Sequence, residues 1–589
     1  MLNKASILLK QSWELPGEKK VGKVLDSLSL TEKVLGLFLI LLLSISSATL
    51  LLRANYALTV PVPAHGGTLV EGIVGSPRFA NPVLALPGSN ADRDLVALIY
   101  SGLLKSTPKG ELIPDLAESW EVSEDGLKYT FILKDEIYFH DGKPVTTADV
   151  EFTVLKIQEP SLRSPRRANW EGVKTEVKDS KTISFILSQP YAMFLDNATL
   201  GILPKHLWNN LSQEQFSFSL LNIEPVGSGP YRIKSLKKDS NGLPISYHLT
   251  SFRNYTLGEP FLKNIILRFY TNENELIEAF ERGVIESVSS ISPEEASGLI
   301  EKGALVKTNV LPRIFGVFLN QNESSIFTQK EVRVALDMSL DKERIVEEVL
   351  LGFGRSINSP VPIAHLPQLE QDKDISPDSN RIEKAIEILE SAGWKLGEGE
   401  SVRTRKTKDG NSELRFSIST GNLPDLKAVA TILQEEWRKI GAEVDIKFFE
   451  ANGDLSQNVI RPRNYESLLF GISAARDLDL FPFWHSSQRN DPGFNIGLYA
   501  NITTDKLLEE ARVILNKDER MKKYIQFEKE VLEDSPAIFI YSPDFIYVLP
   551  RKLKEVDLGL ISQSSDRFLN VHNWYIETDK IWKIFVKQK

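Results

Sequence analysis

Residues 112–153 read LIPDLAESWEVSEDGLKYTFILKDEIYFHDGKPVTTADVEFT. Within this stretch, residues 127–133 alternate inward and outward side chains as a half-buried strand does, and the turn sequence EVSEDG precedes them. A second turn, HDGKP, leads into a helical pattern at 147–158, with Thr147 as candidate cap and Asp149 in the first turn. A strand, a turn and a helix in close succession predict a mixed α/β fold.

The same alternation of strands and helices continues on both sides of this stretch. Residues 67–74 form an alternating opening strand. Further helical patterns cover 274–282, 329–351, 381–392, 425–440 and 505–516. A chain of 589 residues is longer than one hydrophobic core usually supports, so we expect more than one α/β lobe.

An uncharged run of 19 residues, VLGLFLILLLSISSATLLL, occupies 34–52. At about 1.5 Å per residue, such a helix spans roughly 28 Å, which suits one crossing of the hydrocarbon layer. Lysines before the run and few after it predict a basic cytoplasmic leader at 1–33, a transmembrane anchor at 34–52 and an external main body. A cleaved signal peptide is the alternative, because Ala54 and Ala57 are small residues nearby.

Residues 53–65 link the apolar run to the main body. They contain two X-Pro steps, which disfavour helix and favour extended backbone. We expect an extended spacer here.

Composition and charge exclude several classes of partner and site. The chain has a formal net charge of −9, although residues 1–53 carry seven Lys or Arg residues against four acidic ones. The external part is therefore acidic and lacks the basic surplus that nucleic-acid binding requires. Because the chain has no cysteine, disulfides, thiolate metal sites, a cysteine nucleophile and a cysteine-linked lipid are excluded.

Motifs of common enzyme classes are missing from the sequence. It has no HExxH, no P-loop, no GxGxxG after a strand and no GxSxG, and its seven histidines are scattered without metal-ligand spacing. The GSGP segment at 227–230 is expected to be a turn, because neither a Lys-Ser/Thr pair nor a helix pattern follows it. We expect no catalytic residue, no cofactor and no metal site.

Several aromatic residues have a structural interpretation that competes with ligand binding. Trp120, Trp170, Trp394 and Trp574 are predicted to be core or packing residues, because tryptophan is usually largely buried. His140 is predicted to be a hydrogen-bonded structural residue.

The ordered series of motifs resembles the family 5 extracellular solute-binding proteins, which include the oligopeptide- and dipeptide-binding receptors of ABC importers. In order, the motifs are GGTLVEGIVGSP and NPVLA at 66–85, LIYSGLL at 98–104, the stretch at 112–153, PVGSGPYRI at 225–233, RNYTLGEP at 253–260, VRVALDMSLDKERIVEEVLLGFG at 332–354, SAGW at 391–394 and DLDLFPFWHSSQ at 477–488. Each fragment alone is weak, but unrelated chains would not reproduce their number and order.

The resemblance implies a two-lobed fold of the type II periplasmic-binding-protein class with an extra subdomain, in which the lobes close about hinges around the ligand. The expected segments are lobe one at 66–315 with an inserted subdomain near 105–210, lobe two at 316–539, and a return to lobe one at 540–589. The expected crossings between lobes are 313–320 and 537–548, two apolar extended runs.

The resemblance also implies which residues bind the ligand. In peptide-binding members the ligand lies extended and pairs its main chain with protein backbone. The matching residues here are Gly88, Ser89 and Asn90 in one loop, and Gly471, Ile472 and Ser473 in one strand. The alternatives are a plain polar turn for the loop and an ordinary strand end for the second group.

Trp484 and His485 are further candidates for lining the cleft. Phe481, Phe483 and Trp484 could equally pack beneath it.

One departure from the family pattern concerns the α-ammonium group of the ligand. Oligopeptide receptors carry an aspartate shortly after the strand that matches 471–473, whereas this sequence has Ala474 there, with Asp477 a few residues on. Loss of that carboxylate removes a charge-assisted hydrogen bond to a free peptide N-terminus. Either Asp477 substitutes, or the ligand is not a simple free-amine peptide.

By this resemblance, the chain is expected to be a monomeric, single-pass, membrane-anchored substrate-binding protein that delivers a peptide to ABC permease subunits. The same fold could instead bind a sugar oligomer, a metal chelate or another small solute. An anchored sensor without transport is a third hypothesis, and an extracellular hydrolase is disfavoured because no nucleophile constellation is found.

Overall fold

The computed structural model describes residues 26–365, 380–408, 410–450 and 453–585. The chain divides into two compact units. One contains the described parts of Met1–Ala64 and Thr578–Lys589, and the other is His65–Glu577.

The strands, in chain order, are β1 (Thr59–Pro63), β2 (Gly66–Val74), β3 (Leu104–Ser106), β4 (Leu112–Pro114), β5 (Ala117–Val122), β6 (Lys128–Leu133), β7 (Lys174–Val177), β8 (Thr182–Ile186), β9 (Tyr231–Lys238), β10 (Pro244–Ser251), β11 (Leu262–Tyr270), β12 (Ser287–Ser289), β13 (Leu305–Val310), β14 (Arg313–Leu319), β15 (Gly354–Ser356), β16 (Thr404–Thr407), β17 (Gly410–Glu413), β18 (Arg415–Gly421), β19 (Glu443–Phe449), β20 (Ser467–Ser473), β21 (Ala537–Leu549) and β22 (Thr578–Trp582).

The α-helices are α1 (Leu30–Leu58), α2 (Asn90–Ile99), α3 (Thr147–Gln158), α4 (Arg167–Trp170), α5 (Phe194–Asn197), α6 (Lys205–Trp208), α7 (Gln213–Phe218), α8 (Glu273–Glu281), α9 (Pro293–Glu301), α10 (Lys330–Met338), α11 (Lys342–Glu348), α12 (Arg381–Ser391), α13 (Pro424–Lys439), α14 (Phe481–Trp484), α15 (Ile502–Val513) and α16 (Lys517–Asp534). Single 3-10 turns occur at Pro160–Leu162, Leu220–Asn222, Ser325–Thr328, Ile363–His365, Ser486–Gln488, Ser564–Phe568, Val571–Asn573 and Lys583–Phe585, and Leu455–Ile460 is a π-helix.

The smaller unit consists of α1 and the two-stranded sheet β1–β22. α1 starts at a capping box in which Ser29 and Glu32 bond each other's backbone N–H groups, and none of its side chains is buried. It is long and apolar enough to cross a membrane. The helix continues through 53–58, so the predicted extended spacer is wrong there, because the two X-Pro restrictions act only from Thr59 onward.

The C-terminal part of the chain also differs from the expected return to lobe one. β22 pairs antiparallel with β1, and Thr578 lies opposite Pro63. Residues from 578 onward therefore belong to the smaller unit, and the return to the larger unit ends at Glu577. The pairing of β22 with β1 therefore assigns these residues to the smaller unit. Such pairing uses backbone groups, so neither segment has a side-chain pattern from which it could be predicted.

A 12-stranded sheet organises the larger unit. Its strand order is β19-β18-β20-β14-β21-β12-β2-β11-β10-β9, and β13 and β15 also pair with β21. The 13-residue strand β21 passes through both lobes, since its first half pairs with β14 and β15 and its second half with β12 and β13.

The side chains of β21 alternate between the two faces of the sheet in both halves. Ile538 and Ile540 enter one core of lobe two, and Ala537 and Phe539 enter the other. In lobe one the alternating sets are Phe545, Tyr547 and Leu549 on one face and Ile546 and Val548 on the other. The strand β21 therefore passes from the cores of lobe two to the cores of lobe one between Tyr541 and Phe545.

A separate four-stranded sheet, in the order β5-β6-β8-β7, lies within the segment expected as the inserted subdomain. Helix α3, which lies between β6 and β7 in the chain, is capped by Thr146 and not by the predicted Thr147. The backbone N and the hydroxyl of Thr146 donate to Asp149 Oδ2 at 2.9 and 2.8 Å. Thr147 is buried, and its hydroxyl donates to the Asp179 carbonyl at 2.6 Å.

Two predicted helices have different bounds in the structure. The pattern at 329–351 is divided into α10 and α11, because Asp341 accepts from the Arg344 N–H and starts a new helix. The pattern at 505–516 is α15, which begins at Ile502 because the Asn501 side chain caps it.

The structural interpretations of the aromatic residues are confirmed. Trp170, Trp394 and Trp574 are buried, and Trp120 is half-buried against the core of lobe one. His140 is half-buried, with its Nε2 at 3.0 Å from the Gly229 carbonyl oxygen. Burial lowers the pKa of His140 to about 4, so the ring is neutral at pH 7.

Candidate ligand-binding cleft

A cavity of about 1130 Å³ opens between the two lobes. Lobe one contributes segments near 74–78, 86–92 and 290–293, and lobe two contributes Pro424 and Asp425 at the start of α13. The predicted loop residues Gly88, Ser89 and Asn90 are all part of this wall.

The loop takes its shape from the start of α2. Ser89 Oγ accepts from the Asp92 N–H at 3.1 Å, and Asp92 Oδ1 accepts from the N–H groups of Arg78 and Phe79 at 2.7 and 2.9 Å. A Cβ added to Gly88 would meet no atom within 4 Å, so this residue faces open space. The loop is thus a capped helix start that also forms part of the cavity wall.

The second predicted group, Gly471–Ser473, ends strand β20. One edge of this strand pairs with β14, with Gly471 opposite Phe315 and Ser473 opposite Arg313. On the other edge β18 pairs with Ser467 and Leu468, and among the described strands no partner continues along 469–473. This free edge can accept an extended chain, as strand addition requires.

The same group does not line the cavity described above. Ile472 is buried in a core of lobe two, and Ser473 is exposed. A Cβ on Gly471 would come within 2.8 Å of the Phe315 ring, so packing gives a separate reason for glycine at this position.

Asp477 is engaged in an ion pair within lobe two. Arg520 Nη2 lies 2.8 Å from Asp477 Oδ1 and 3.0 Å from Oδ2, and the two side chains are 4% and 18% exposed respectively. Ala474, which the family resemblance predicts to match the ligand-binding aspartate, is buried, and its N–H donates to the Pro312 carbonyl at 2.9 Å. The geometry thus disfavours the hypothesis that Asp477 replaces the missing carboxylate.

Trp484 does not line the cleft. It is 1% exposed and packs against Phe318, Phe527 and Phe539, so its predicted role in lining the cleft is wrong and the alternative of packing beneath the surface holds. Burial in the lobe-two core removes the large apolar surface of its indole ring from water.

His485 is also buried. Its ring stacks on Phe481 with centroids 4.0 Å apart, and its Nδ1 lies 2.8 Å from Ser487 Oγ. These contacts position His485 within lobe two and leave its predicted role in the cleft without support from the geometry.

Three arginines near the cleft were not predicted from the sequence. Arg93 donates to the neutral oxygens of Asn90 at 2.7 Å and Gln563 at 3.1 Å, and its Nε has no partner among the described residues. Arg166 and Arg313 form no ion pair within the described part of the chain. Burial first, and the charge of Arg93 second, lower the pKa of both.

These arginines are far apart in the sequence, and no local motif marks them. They come together because Arg93 lies on α2, Arg313 starts β14, and Ser164, two residues before Arg166, donates to the Val83 carbonyl at 2.6 Å. The three guanidinium groups are close enough for the charge of Arg93 to act on the other two, and Arg93 contacts the cavity wall through Asn90.

Side chains on opposite lobes contact each other. Arg476 Nη2 of lobe two lies 2.5 Å from Asp566 Oδ2 of lobe one. The Tyr191 hydroxyl donates to Asp479 at 3.3 Å, and Asp479 also pairs with Arg512 at 2.8 Å. These contacts require the lobes to be close together in the described conformation.

Groups of three or more His, Asp or Glu side chains placed to hold a metal ion do not occur within the described ranges.

The sequence profile of the bacterial extracellular solute-binding proteins, family 5 Middle, matches residues 111–494, more than half of the chain. The chain belongs to the family 5 solute-binding proteins. Family 5 members are two-lobed binding proteins, which agrees with the α/β lobes and the cavity between them.

Named family 5 relatives bind different ligands. The oligopeptide-binding protein AppA of Bacillus subtilis strain 168 is 28% identical over 528 residues, which cover 87% of this chain and 92% of that protein. The structure of B. subtilis AppA with a nonapeptide has a TM-score of 0.64 and 27% identity, and covers 88% of this chain and 100% of that one. Heme-binding protein A of Haemophilus influenzae is 25% identical, covering 86% and 95% of the two chains.

Proposed function

We propose that this protein is the membrane-anchored substrate-binding component of an ABC importer and binds peptide ligands by closure of its two lobes. The observation that carries this proposal is the cavity of about 1130 Å³ whose walls come from both lobes. A ligand there contacts Gly88–Asn90 on one side and Pro424 and Asp425 on the other, so it is fully enclosed only when the lobes are closed.

The connections between the lobes support hinge closure. The first is Leu311 and Pro312 between β13 and β14, and the second is the segment around Pro543 in β21. The Leu311 N–H donates to the Pro543 carbonyl at 3.0 Å, so the two connections lie side by side. Small backbone rotations at these two neighbouring segments would move one lobe against the other.

Main-chain pairing explains how such a receptor binds peptides of different sequence. The free edge of β20 at 469–473 supplies backbone donors and acceptors without contacting ligand side chains. We therefore propose that the ligand extends from the cavity wall at 88–90 to the free strand edge at 471–473 and pairs its backbone with both.

The charges near the cleft support a narrower ligand class. Ala474 offers no carboxylate, and Asp477 is already paired with Arg520, so a free α-ammonium group has no unpaired acidic partner in the segment that follows β20. Arg93 bonds Asn90 of the cavity wall, and Arg166 and Arg313 lie near Arg93, so these cations favour an acidic group on a ligand that reaches them. We therefore propose peptides or peptide-like solutes that carry an acid and do not depend on a free N-terminus.

α1 is proposed to be an uncleaved membrane anchor, with the main body outside the cytoplasm. The 29-residue helix exceeds the length needed to span the hydrocarbon layer. The anchor keeps the receptor near its permease and raises its effective concentration there.

Native mass spectrometry of the protein purified in mild detergent tests this proposal. We expect bound solutes that are released on unfolding and whose masses and fragments identify acidic peptides. Arg93→Met should lose most of this ligand, whereas Arg253→Met, at an exposed residue, serves as the control. Recovery of a sugar oligomer or a metal chelate would contradict peptide binding but leave the closure mechanism intact.

A further inference from the structure

A surface with exposed aromatic and basic residues lies at the end of α1. β1 follows α1 directly, and β22 pairs with it so that Trp582 is opposite Thr59 and Thr578 is opposite Pro63. β22 therefore runs toward the end of α1, and the turn Lys583–Phe585 follows it there. A C-terminal segment is thus held next to the residue where the apolar helix ends.

Large apolar side chains at this place are exposed. Tyr56 is 76% exposed, Trp582 44% and Ile584 78%. Two lysines accompany them: the Nζ of Lys580 lies 4.9 Å from the centre of the Tyr56 ring, and Lys583 is exposed. All five residues belong to the same compact unit as α1.

The distance from the apolar run fits the headgroup layer of a bilayer. The uncharged run ends at Leu52, and helix α1 continues to Leu58. At about 1.5 Å per residue, this adds about 9 Å, while each headgroup layer is about 5–8 Å thick. The pair Thr59–Trp582 then lies at the outer boundary of the headgroups, and Tyr56 lies within them.

The types of side chain on this surface and the low stability of an isolated two-stranded ribbon both favour contact with lipid. Trp and Tyr are enriched at membrane–water interfaces, and lysine can extend its ammonium group to phosphate while its stem covers apolar surface. An isolated ribbon of two strands is only marginally stable in water. Contact of Trp582 and Ile584 with the interface would stabilise the ribbon by removing apolar surface from water.

We propose that Tyr56, Trp582 and Ile584, together with Lys580 and Lys583, form a lipid-contacting surface that binds anionic phospholipid headgroups of the outer leaflet. This proposal rests on the proposed role of α1 as a membrane anchor. It gives β22 a function: β22 brings a second segment of the chain to the membrane, paired with the strand that follows α1.

Because the natural chain has no cysteine, single cysteines can report each site without a background signal. Full-length Ile584→Cys is labelled with a nitroxide and reconstituted into vesicles of phosphatidylcholine with phosphatidylglycerol. Accessibility to oxygen and to a water-soluble nickel complex is compared with Leu43→Cys in the middle of α1 and with Ile502→Cys, an isoleucine of the body that is 89% exposed.

We expect the label at 584 to have an oxygen-to-nickel accessibility ratio at least about twofold above the label at 502, as interfacial burial predicts. A ratio equal to that at 502, with the label at 43 inside the hydrocarbon, would overturn the lipid surface and leave the anchor intact. An aqueous label at 43 would instead overturn the anchor itself. A label at 584 protected from both reagents would mean that protein covers this surface, and would also overturn the proposal.

The charge component is tested with Lys580→Gln and Lys583→Gln combined with the label at 584. In the parent protein, raising phosphatidylglycerol from zero to about 30% should deepen the label and slow its motion, because lysine attracts anionic headgroups. The double variant should lose this dependence while the label at 43 keeps its depth. An unchanged dependence would show that the lysines do not bind headgroups.

Discussion

Arg520 Nη2 lies within 3.0 Å of both carboxylate oxygens of Asp477, and both residues lie in lobe two. This pair explains why an aspartate three residues after Ala474 cannot take over the role of a carboxylate at position 474. Asp477 satisfies a guanidinium that is 4% exposed, and releasing it for a ligand would leave that buried charge unpaired.

Asp477→Asn should therefore act on stability and not on ligand binding. We expect a loss of about 2 kcal/mol in the free energy of unfolding, because a buried guanidinium loses its charged partner. Urea titration of the variant measures this change, with Asp445→Asn at an exposed position as control. A variant of unchanged stability that no longer retains its ligand would restore Asp477 as a binding residue.

Ala474→Asp should create an acidic partner for a free peptide N-terminus. A charge-assisted hydrogen bond would raise affinity for a free-amine peptide over its N-acetylated form by about tenfold. Titration calorimetry with both peptide forms measures this ratio, and Ala474→Asn provides an uncharged control of the same shape. Equal affinities in the Asp and Asn variants would contradict the assignment of this position.

Arg567 should be the most sensitive single residue of the lobe-one core. It is fully buried and lies within 2.7 Å of Glu71 and 2.5 Å of Asp94. Arg567→Met leaves two carboxylates buried without a cation, so we expect a loss of about 3–5 kcal/mol in the free energy of unfolding. The comparison in urea is Arg551→Met, an exposed arginine of the same lobe, which should change stability by less than about 0.5 kcal/mol.

Asp196 should make stability depend on pH. Burial, followed by the charge of Asp477, raises the pKa of Asp196 to about 6. Since the folded state holds this proton more tightly than the unfolded state, ionisation of Asp196 destabilises the fold above pH 6, and this cost disappears as the pH falls toward 4. Arg476, Lys517 and Arg520 face the same group and partly offset the cost.

Asp196→Asn should therefore stabilise the protein by on the order of 2 kcal/mol at pH 7.5 and leave it unchanged near pH 4. Urea unfolding midpoints at both pH values measure the effect. Equal stabilisation at the two pH values would indicate that the amide acts through packing and not through the removed charge.

Arg512 should influence the equilibrium between open and closed lobes. It holds Asp479, which accepts from Tyr191 of the other lobe, and its carbonyl accepts from the Ala192 N–H at 2.7 Å. Arg512→Met should increase the open population of the ligand-free protein, because Asp479 loses its cation and is no longer fixed toward Tyr191.

Energy transfer between dyes on two introduced cysteines, one in each lobe, measures this population. The exposed Arg282→Met serves as the control. A distance distribution identical to that of the parent protein would show that these contacts do not bias closure.

The sequence by itself determined the fold class, the apolar helix and most local elements, because hydrophobic periodicity and turn residues act over short distances. The sequence patterns predicted strands β6 and β21 and helices α3 and α13 close to their observed bounds. The ordered family motifs indicated the two lobes, and they drew attention to the loop at Gly88, which lies in the cavity wall.

Only the tertiary structure showed which charged side chains are available to a ligand and which distant segments of the chain pair with each other. Whether Asp477 is available depends on Arg520, and whether Trp484 faces the cleft depends on packing against Phe318 and Phe539. The pairing of β22 with β1 likewise joins two segments that are far apart in the sequence. Such contacts arise from folding in three dimensions, and their energies leave no periodic or local pattern in the sequence for either partner.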